Sequence, residues 1–121
     1  MKIIDEIKSL NYDEDLLYDY IIEQSKKLET LNKEEFVDNN KIFGCMSTVY
    51  IIVDKTNTGT IIKGFSDSKI ISGILGILAE LVKNDPSPVY ESYTNDLSEI
   101  KLLLSQNRRL GFDNIIKKVF K

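Results

Sequence analysis

The chain of 121 residues contains one cysteine, Cys45, and no histidine. Cys45 stands in the stretch Asn39-Asn40-Lys41-Ile42-Phe43-Gly44-Cys45-Met46-Ser47-Thr48-Val49-Tyr50. A glycine precedes it directly, and a run rich in β-branched residues, Val49 to Val53, follows. Glycine takes positive φ at little cost, so Gly44 reads as a tight turn that lifts the thiol outward at the mouth of a strand. Without histidine, Cys–His and Ser–His–Asp catalysis are excluded. One thiol and no imidazole also fall short of the usual zinc ligand sets. No Gly-rich nucleotide fingerprint or P-loop is present. What remains for Cys45 is a thiol that reacts on its own, or a small buried hydrophobe of the kind most free cysteines are.

The elements that must position this thiol follow from the apolar spacing. Ile3, Ile4, Ile7 and Leu10 predict a short first helix, broken at Asn11-Tyr12-Asp13. Asp13 then caps a second helix running to about Leu28, with Leu16, Leu17, Tyr20, Ile21 and Leu28 on one side. Its acids Asp13, Glu14 and Asp15 lead and Lys26 and Lys27 trail, the order the helix dipole favours. Residues 29–39 read as polar loop with a turn of helix at Lys33 to Phe36. Ser47 to Asp54 predicts a strand apolar on both faces, hence covered on both. Lys55-Thr56-Asn57-Thr58-Gly59 is a hairpin loop, Thr60 to Phe65 the returning strand, and Lys41-Ile42 a third short strand. Ser66 or Asp67 caps a long helix whose apolar residues, Ile70 to Val82, cover more than half its girth. That helix is expected at the centre of the fold, with Gly73 and Gly76 allowing close approach to a strand. Asn84-Asp85-Pro86 ends it. Leu97, Ile100, Leu103 and Leu104 give a further short helix. The last presents Phe112, Ile115, Ile116, Val119 and Phe120. The order is that of one α+β domain over residues 1–121, a small antiparallel three-stranded sheet with helices packed around it.

Composition bounds the setting. The chain is 42% hydrophobic and 29% charged, with a net charge of −3. Residues 1–40 carry eleven acids and five bases, a balance of −6, and residues 41–121 carry eight acids and eleven bases, a balance of +3. The basic end, Arg108-Arg109 and Lys117-Lys118, lacks the interleaved aromatics of a nucleic-acid surface and reads as a solvated helix face. Acids follow the first methionine at once, so no signal peptide is expected. The longest apolar run, Ile74 to Val82, is too short to span a bilayer. The expectation is a soluble cytoplasmic protein with no nucleic-acid or membrane partner.

Three segments carry a family resemblance. Asn40-x-x-x-Gly44-Cys45-x-Ser47-x-Val49, with the aromatic Tyr50, resembles the cysteine loop of the SufE family, the cysteine-desulfuration accessory proteins of iron–sulfur cluster assembly. Gly64-Phe65-Ser66-Asp67-Ser68 resembles that family's Gly-Asp-Ser-Asp segment, which also opens a long apolar helix. Asn107-Arg108-Arg109-Leu110-Gly111-Phe112 is similar to its Ser-Arg-x-x-Gly-Leu segment. The matches keep order and spacing across about residues 13–120. The chain departs from the pattern at Met46 (for glutamine), Tyr50 (tryptophan), Phe65 (an acid) and Asn107 (serine), and the stretch before the arginine segment is short.

The resemblance implies a SufE/NifU-like fold and a sulfur relay. A PLP-dependent cysteine desulfurase (SufS-like) would hold sulfur as a persulfide, Cys45 would attack it, and the sulfur would pass to an iron–sulfur scaffold (SufB-like). The accessory protein itself would bind neither PLP nor metal, and both monomer and homodimer are compatible with the role. Such transfer needs an attacking and a leaving thiolate and no histidine. It calls for a cysteine on a movable loop, supported by Gly44 and Ser47, with Phe43 and Met46 lining an apolar resting niche. By resemblance, Asp67 lies near the cysteine loop and restrains it at rest, and Arg108 contacts the desulfurase. On residues alone, Asp67 is equally a helix cap and Arg108 a surface charge. Two other classes stay open: a thiol enzyme using Cys45 on a small molecule, and a binding module in which Cys45 is inert. A cluster scaffold is disfavoured, since one cysteine cannot supply the ligands.

Overall fold

Two helices, a β-hairpin and three further helices make up the computed structural model, which describes residues 2–10 and 13–120. Helix α1 spans Lys2–Ser9. The expected break at Asn11-Tyr12 lies outside the described residues. Asp13 caps α2 (Glu14–Gln24) as its composition demands, its carboxylate accepting from the Leu16 amide at 3.1 Å. The helix ends at Gln24 rather than near Leu28. Ser25 turns its hydroxyl onto the Ile22 carbonyl at 2.7 Å, a local bond that competes with the ladder, and Ser25–Lys27 tightens into a 3-10 turn before Leu28 goes extended. Further 3-10 turns follow at Lys33–Glu35, where a helical turn was expected, and at Asp38–Asn40.

Strands β1 (Val49–Lys55) and β2 (Thr60–Ser66) form an antiparallel hairpin, with Val49 opposite Ser66 and Lys55 opposite Thr60. Val49 and Ile51 of β1 and Ile62 of β2 point inward and are buried. The outer face is covered only in part, short of the expectation: Phe36 stacks edge-on against Tyr50 and Phe65, with ring centroids 5.2 and 5.5 Å away, while Phe36, Phe65 and Ile61 stay exposed. The expected third strand is absent from the described residues. Lys41 makes a single antiparallel bridge with Tyr50, and the Ile42 amide donates to the Val49 carbonyl at 2.9 Å. Pairing stops there because Gly44, at φ +83°, turns the chain away. The sheet therefore has two strands.

Helix α3 (Lys69–Val82) is the central element. Ile71, Ile74, Leu75, Ile77, Leu78, Leu81 and Val82 are all buried, and it packs against both α2 and β2. Its cap is Ser68, whose hydroxyl accepts from the Ile71 amide at 3.3 Å. The two residues expected to cap it are engaged elsewhere: Ser66 ends β2 and accepts from the Ser68 amide, while Asp67 reaches back to Thr48. Gly73 and Gly76 serve a helix and not a strand. A Cβ at either would sit 2.0 Å from a carbonyl oxygen of α2, that of Ile21 or of Gln24. Helices α4 (Thr94–Leu102) and α5 (Gln106–Val119) complete the fold. Helix α5 buries the predicted Phe112, Ile115, Ile116 and Val119, but starts six residues before Phe112, with Ser105 at its N-cap. The class is mixed α+β, as read from the sequence.

Candidate functional site

The loop between Asn40 and β1 carries Cys45. Gly44 has the left-handed backbone that the sequence predicts, but the turn sends the thiol inward rather than outward. Cys45 is half-buried, packed on the edge of the apolar core. Its sulfur lies against α5 at Gly111, where a Cβ would come within 2.6 Å of Sγ. Only a glycine at 111 leaves room for the thiol in this place.

Around the sulfur is a small niche of about 10 Å³, lined by Cys45, Met46, Ser47, Ile71, Arg108 and Gly111. That volume is at the lower limit of what accommodates one water molecule, so the thiol has room for about one further atom. Burial pushes the Cys45 thiol above its ordinary pKa, because the apolar surroundings disfavour the thiolate. At rest the group is therefore a protonated, weakly nucleophilic thiol. The niche is not built from both residues expected to line it. Met46 contributes an edge while remaining 76% exposed, and Phe43 points to solvent at 62% exposure. The Lys41 ammonium sits 5.4 Å from the Phe43 ring centroid, a cation–π contact.

Beside the niche, and sharing Met46, Ser47 and Arg108 with it, opens a cleft of about 520 Å³. Tyr18 of α2 and Asp67 and Lys69 at the start of α3 form its far side. The Asp67 carboxylate accepts from the Thr48 amide at 3.0 Å, which ties the end of the cysteine loop to the head of α3. The structure thus brings together all five residues singled out from the sequence. Gly44 makes the turn, Cys45 enters the niche, Ser47 and Arg108 line it, and Asp67 fastens the loop. The three resembling segments, far apart in the chain, meet around the cysteine loop: Arg108 and Gly111 line the niche with Cys45, and Asp67 binds the loop's end at Thr48.

Sequence reasoning missed two residues on α5. Asn114 Nδ2 donates to the Phe43 carbonyl at 2.9 Å, and Lys118 Nζ donates to the Asn39 carbonyl at 3.1 Å. The signal available was their spacing from Gly111, three and seven residues on, which puts them on one helix stripe. Nothing in the sequence said that this stripe meets the loop. Among the described residues, no group of three or more Cys, Asp or Glu side chains is placed to hold a metal ion, and no helix is long and apolar enough to cross a membrane.

A hairpin wrapped by helices, with one thiol folded under a loop onto the last helix, defines a cysteine-loop α+β protein. A family model described as SufE, the Fe–S metabolism associated domain, matches residues 1–121, and the chain belongs to this family. It is 31% identical over 104 residues to an uncharacterized SufE-like protein of Synechocystis, a match covering 83% of this chain and 65% of that protein. It is 29% identical over 126 residues to an uncharacterized SufE-like protein of Rhizobium etli, covering 98% of this chain and 84% of the relative. The chain thus spans a little under two thirds of the first relative's length. Membership ties the chain to Fe–S metabolism.

Proposed function

We propose that Cys45 accepts sulfur from the persulfide of a PLP-dependent cysteine desulfurase of SufS type, stimulating that enzyme, and passes the sulfur to an iron–sulfur scaffold of SufB type. In the first step the Cys45 thiolate attacks the outer sulfur of the partner's persulfide. A sulfur–sulfur bond forms on Cys45, the partner's own sulfur–sulfur bond breaks, and the partner's cysteine leaves as thiolate. No net oxidation occurs and no base is required beyond the solvent that takes the thiol proton. The protein is an accessory carrier in this reading, with no resident cofactor.

The meeting of the three family segments around the Cys45 loop, with Arg108 and Gly111 at the niche and Asp67 on the Thr48 amide, carries the reading. The niche holds the thiol protonated at rest, so reaction requires the loop to leave it and expose the sulfur to water or to the partner, where the thiolate forms more readily. A loop anchored by hydrogen bonds and lined by few core side chains suits such movement. In this reading Arg108, which lines the niche, meets an anionic group of the desulfurase, and Asp67 and Ser47 support the loop. Phe43, Met46 and Leu110 are exposed apolar residues on or beside the loop, a surface of the kind that partners cover.

The test is an intact mass after mixing the protein with an active cysteine desulfurase and free cysteine, without reductant. The expected product carries one added sulfur atom, absent from Cys45→Ser. An unmodified protein beside a turning-over desulfurase would refute the reading. Turnover of a small molecule by this chain alone would favour a thiol enzyme, and stimulation that survives Cys45→Ser an inert-thiol binding module.

A further inference from the structure

Helix α5 does more beneath the cysteine loop than line the niche. Arg108, Gly111, Asn114 and Lys118 are spaced three, three and four apart, which places them on one stripe of the helix. The loop runs antiparallel along it. Asn39 lies over Lys118, Phe43 and Gly44 over Asn114, and Cys45 against Gly111. The Asn114 amide occupies the space that glycine leaves at 44, since a Cβ there would come within 2.7 Å of Nδ2. Lys118 is half-buried and makes no ion pair among the described residues. Its ammonium is directed at a loop carbonyl, and burial draws its pKa below the ordinary lysine value. A lysine in the last turn of a helix needs only the dipole to explain it; one that crosses to a carbonyl of a distant segment is doing something further.

We infer that Asn114 and Lys118 are positioning residues for sulfur transfer. Their two hydrogen bonds hold the loop closed with Cys45 in its niche, and both break when the sulfur swings out to a partner. The inference rests on the reading of Cys45 as the carrier and deepens it: the resting protection of the sulfur is set by two side chains on α5.

The test uses the isolated protein and needs no desulfurase. Rate constants for alkylation of Cys45 by iodoacetamide are compared for the wild type, Asn114→Asp, Lys118→Met, Lys118→Arg and the double variant N114D/K118M. Asn114→Asp swaps the donor for an oxygen of the same shape, and Lys118→Met keeps the aliphatic stem. The loss of one such bond is expected to raise the rate up to about tenfold, equivalent to about 1.4 kcal/mol, with a larger rise in the double variant and a melting temperature lowered by only about a few degrees per bond. Lys118→Arg, which keeps the donor, should stay near the wild type, a rescue that a merely structural role would not produce. A persulfide loaded onto the double variant should also be cleared faster by dithiothreitol. Wild-type alkylation in the double variant, or equal rates for Lys118→Met and Lys118→Arg, would overturn the inference. Should the double variant unfold, Lys118→Met against Lys118→Arg decides alone. Failure of the wild type to acquire sulfur from a desulfurase would instead sink the carrier reading while leaving the alkylation differences standing, so the two failures are distinguishable.

Discussion

The Cys45 sulfur and the Gly111 backbone are in such close contact that a single methyl group at 111 would lie 2.6 Å from Sγ. Gly111→Ala therefore evicts the thiol from its niche. The cost in stability is small, because alanine gains about 1 kcal/mol over glycine inside a helix and this offsets the lost apolar contact of one thiol and the shift of the loop. The expected outcome is a several-fold faster alkylation of Cys45 at neutral pH with a melting temperature close to that of the wild type. An unchanged alkylation rate would mean that the niche does not protect the thiol.

The raised pKa of Cys45 makes a directional pH prediction. The pH profile of alkylation should have its midpoint above that of the same protein unfolded in denaturant. The sign for stability follows by linkage. The folded state holds the thiol proton more tightly than the unfolded state, so the contribution is fully present below the unfolded pKa and is lost as pH rises through the folded one. Chemical denaturation across the alkaline range should show this loss in the wild type and not in Cys45→Ser.

Asp67 fastens the far end of the loop through the Thr48 amide. Asp67→Ala removes the acceptor, whereas Asp67→Asn retains an oxygen in place. Hydrogen exchange at Thr48 should accelerate about three- to tenfold in Asp67→Ala, the range for one net hydrogen bond, and less in Asp67→Asn. Equal exchange in all three proteins would remove Asp67 from the account of the loop.

Gly73 and Gly76 let α3 and α2 approach until backbone nearly meets backbone. Neither Ile21 nor Gln24 can yield a carbonyl without moving its helix. Gly76→Ala should destabilise the protein by about 1–3 kcal/mol, as overpacking does, even though the substitution favours the isolated helix. The midpoint of urea denaturation reads this, and a neutral or stabilising effect would show that the helices can part freely.

The contrast between Gly111 and Gly76 explains what was legible in the sequence. The central burial of α3, the hairpin and the apolar face of α5 followed from spacing, because each depends on residues near one another in the chain. The direction of the Cys45 side chain did not. Gly44 announced a turn, but whether a turn lifts a thiol outward or folds it under depends on what lies beneath, and that is Gly111, 66 residues further on. The third strand failed for a related reason: Lys41-Ile42 has strand composition, yet the turn at Gly44 leaves it only one bridge. The partner of Gly73 and Gly76 was misread because a glycine pair states that something comes close without stating what. Asn114 and Lys118 carried no signal beyond polar positions on an amphipathic helix.

The bridge at Lys41 and the Ile42–Val49 hydrogen bond also fix the length of a leash. When the Asn39 and Phe43 carbonyls have both left α5 and that pairing is kept, Cys45 is three residues from its anchor, and an extended chain covers about 10 Å over that distance. The sulfur atom can then be handed over only to an acceptor whose reactive atom comes within roughly that reach of the domain's surface. A partner with a shallow, close-fitting mouth qualifies. One that keeps its reactive group at the bottom of a deeper shaft does not, however well its surface matches.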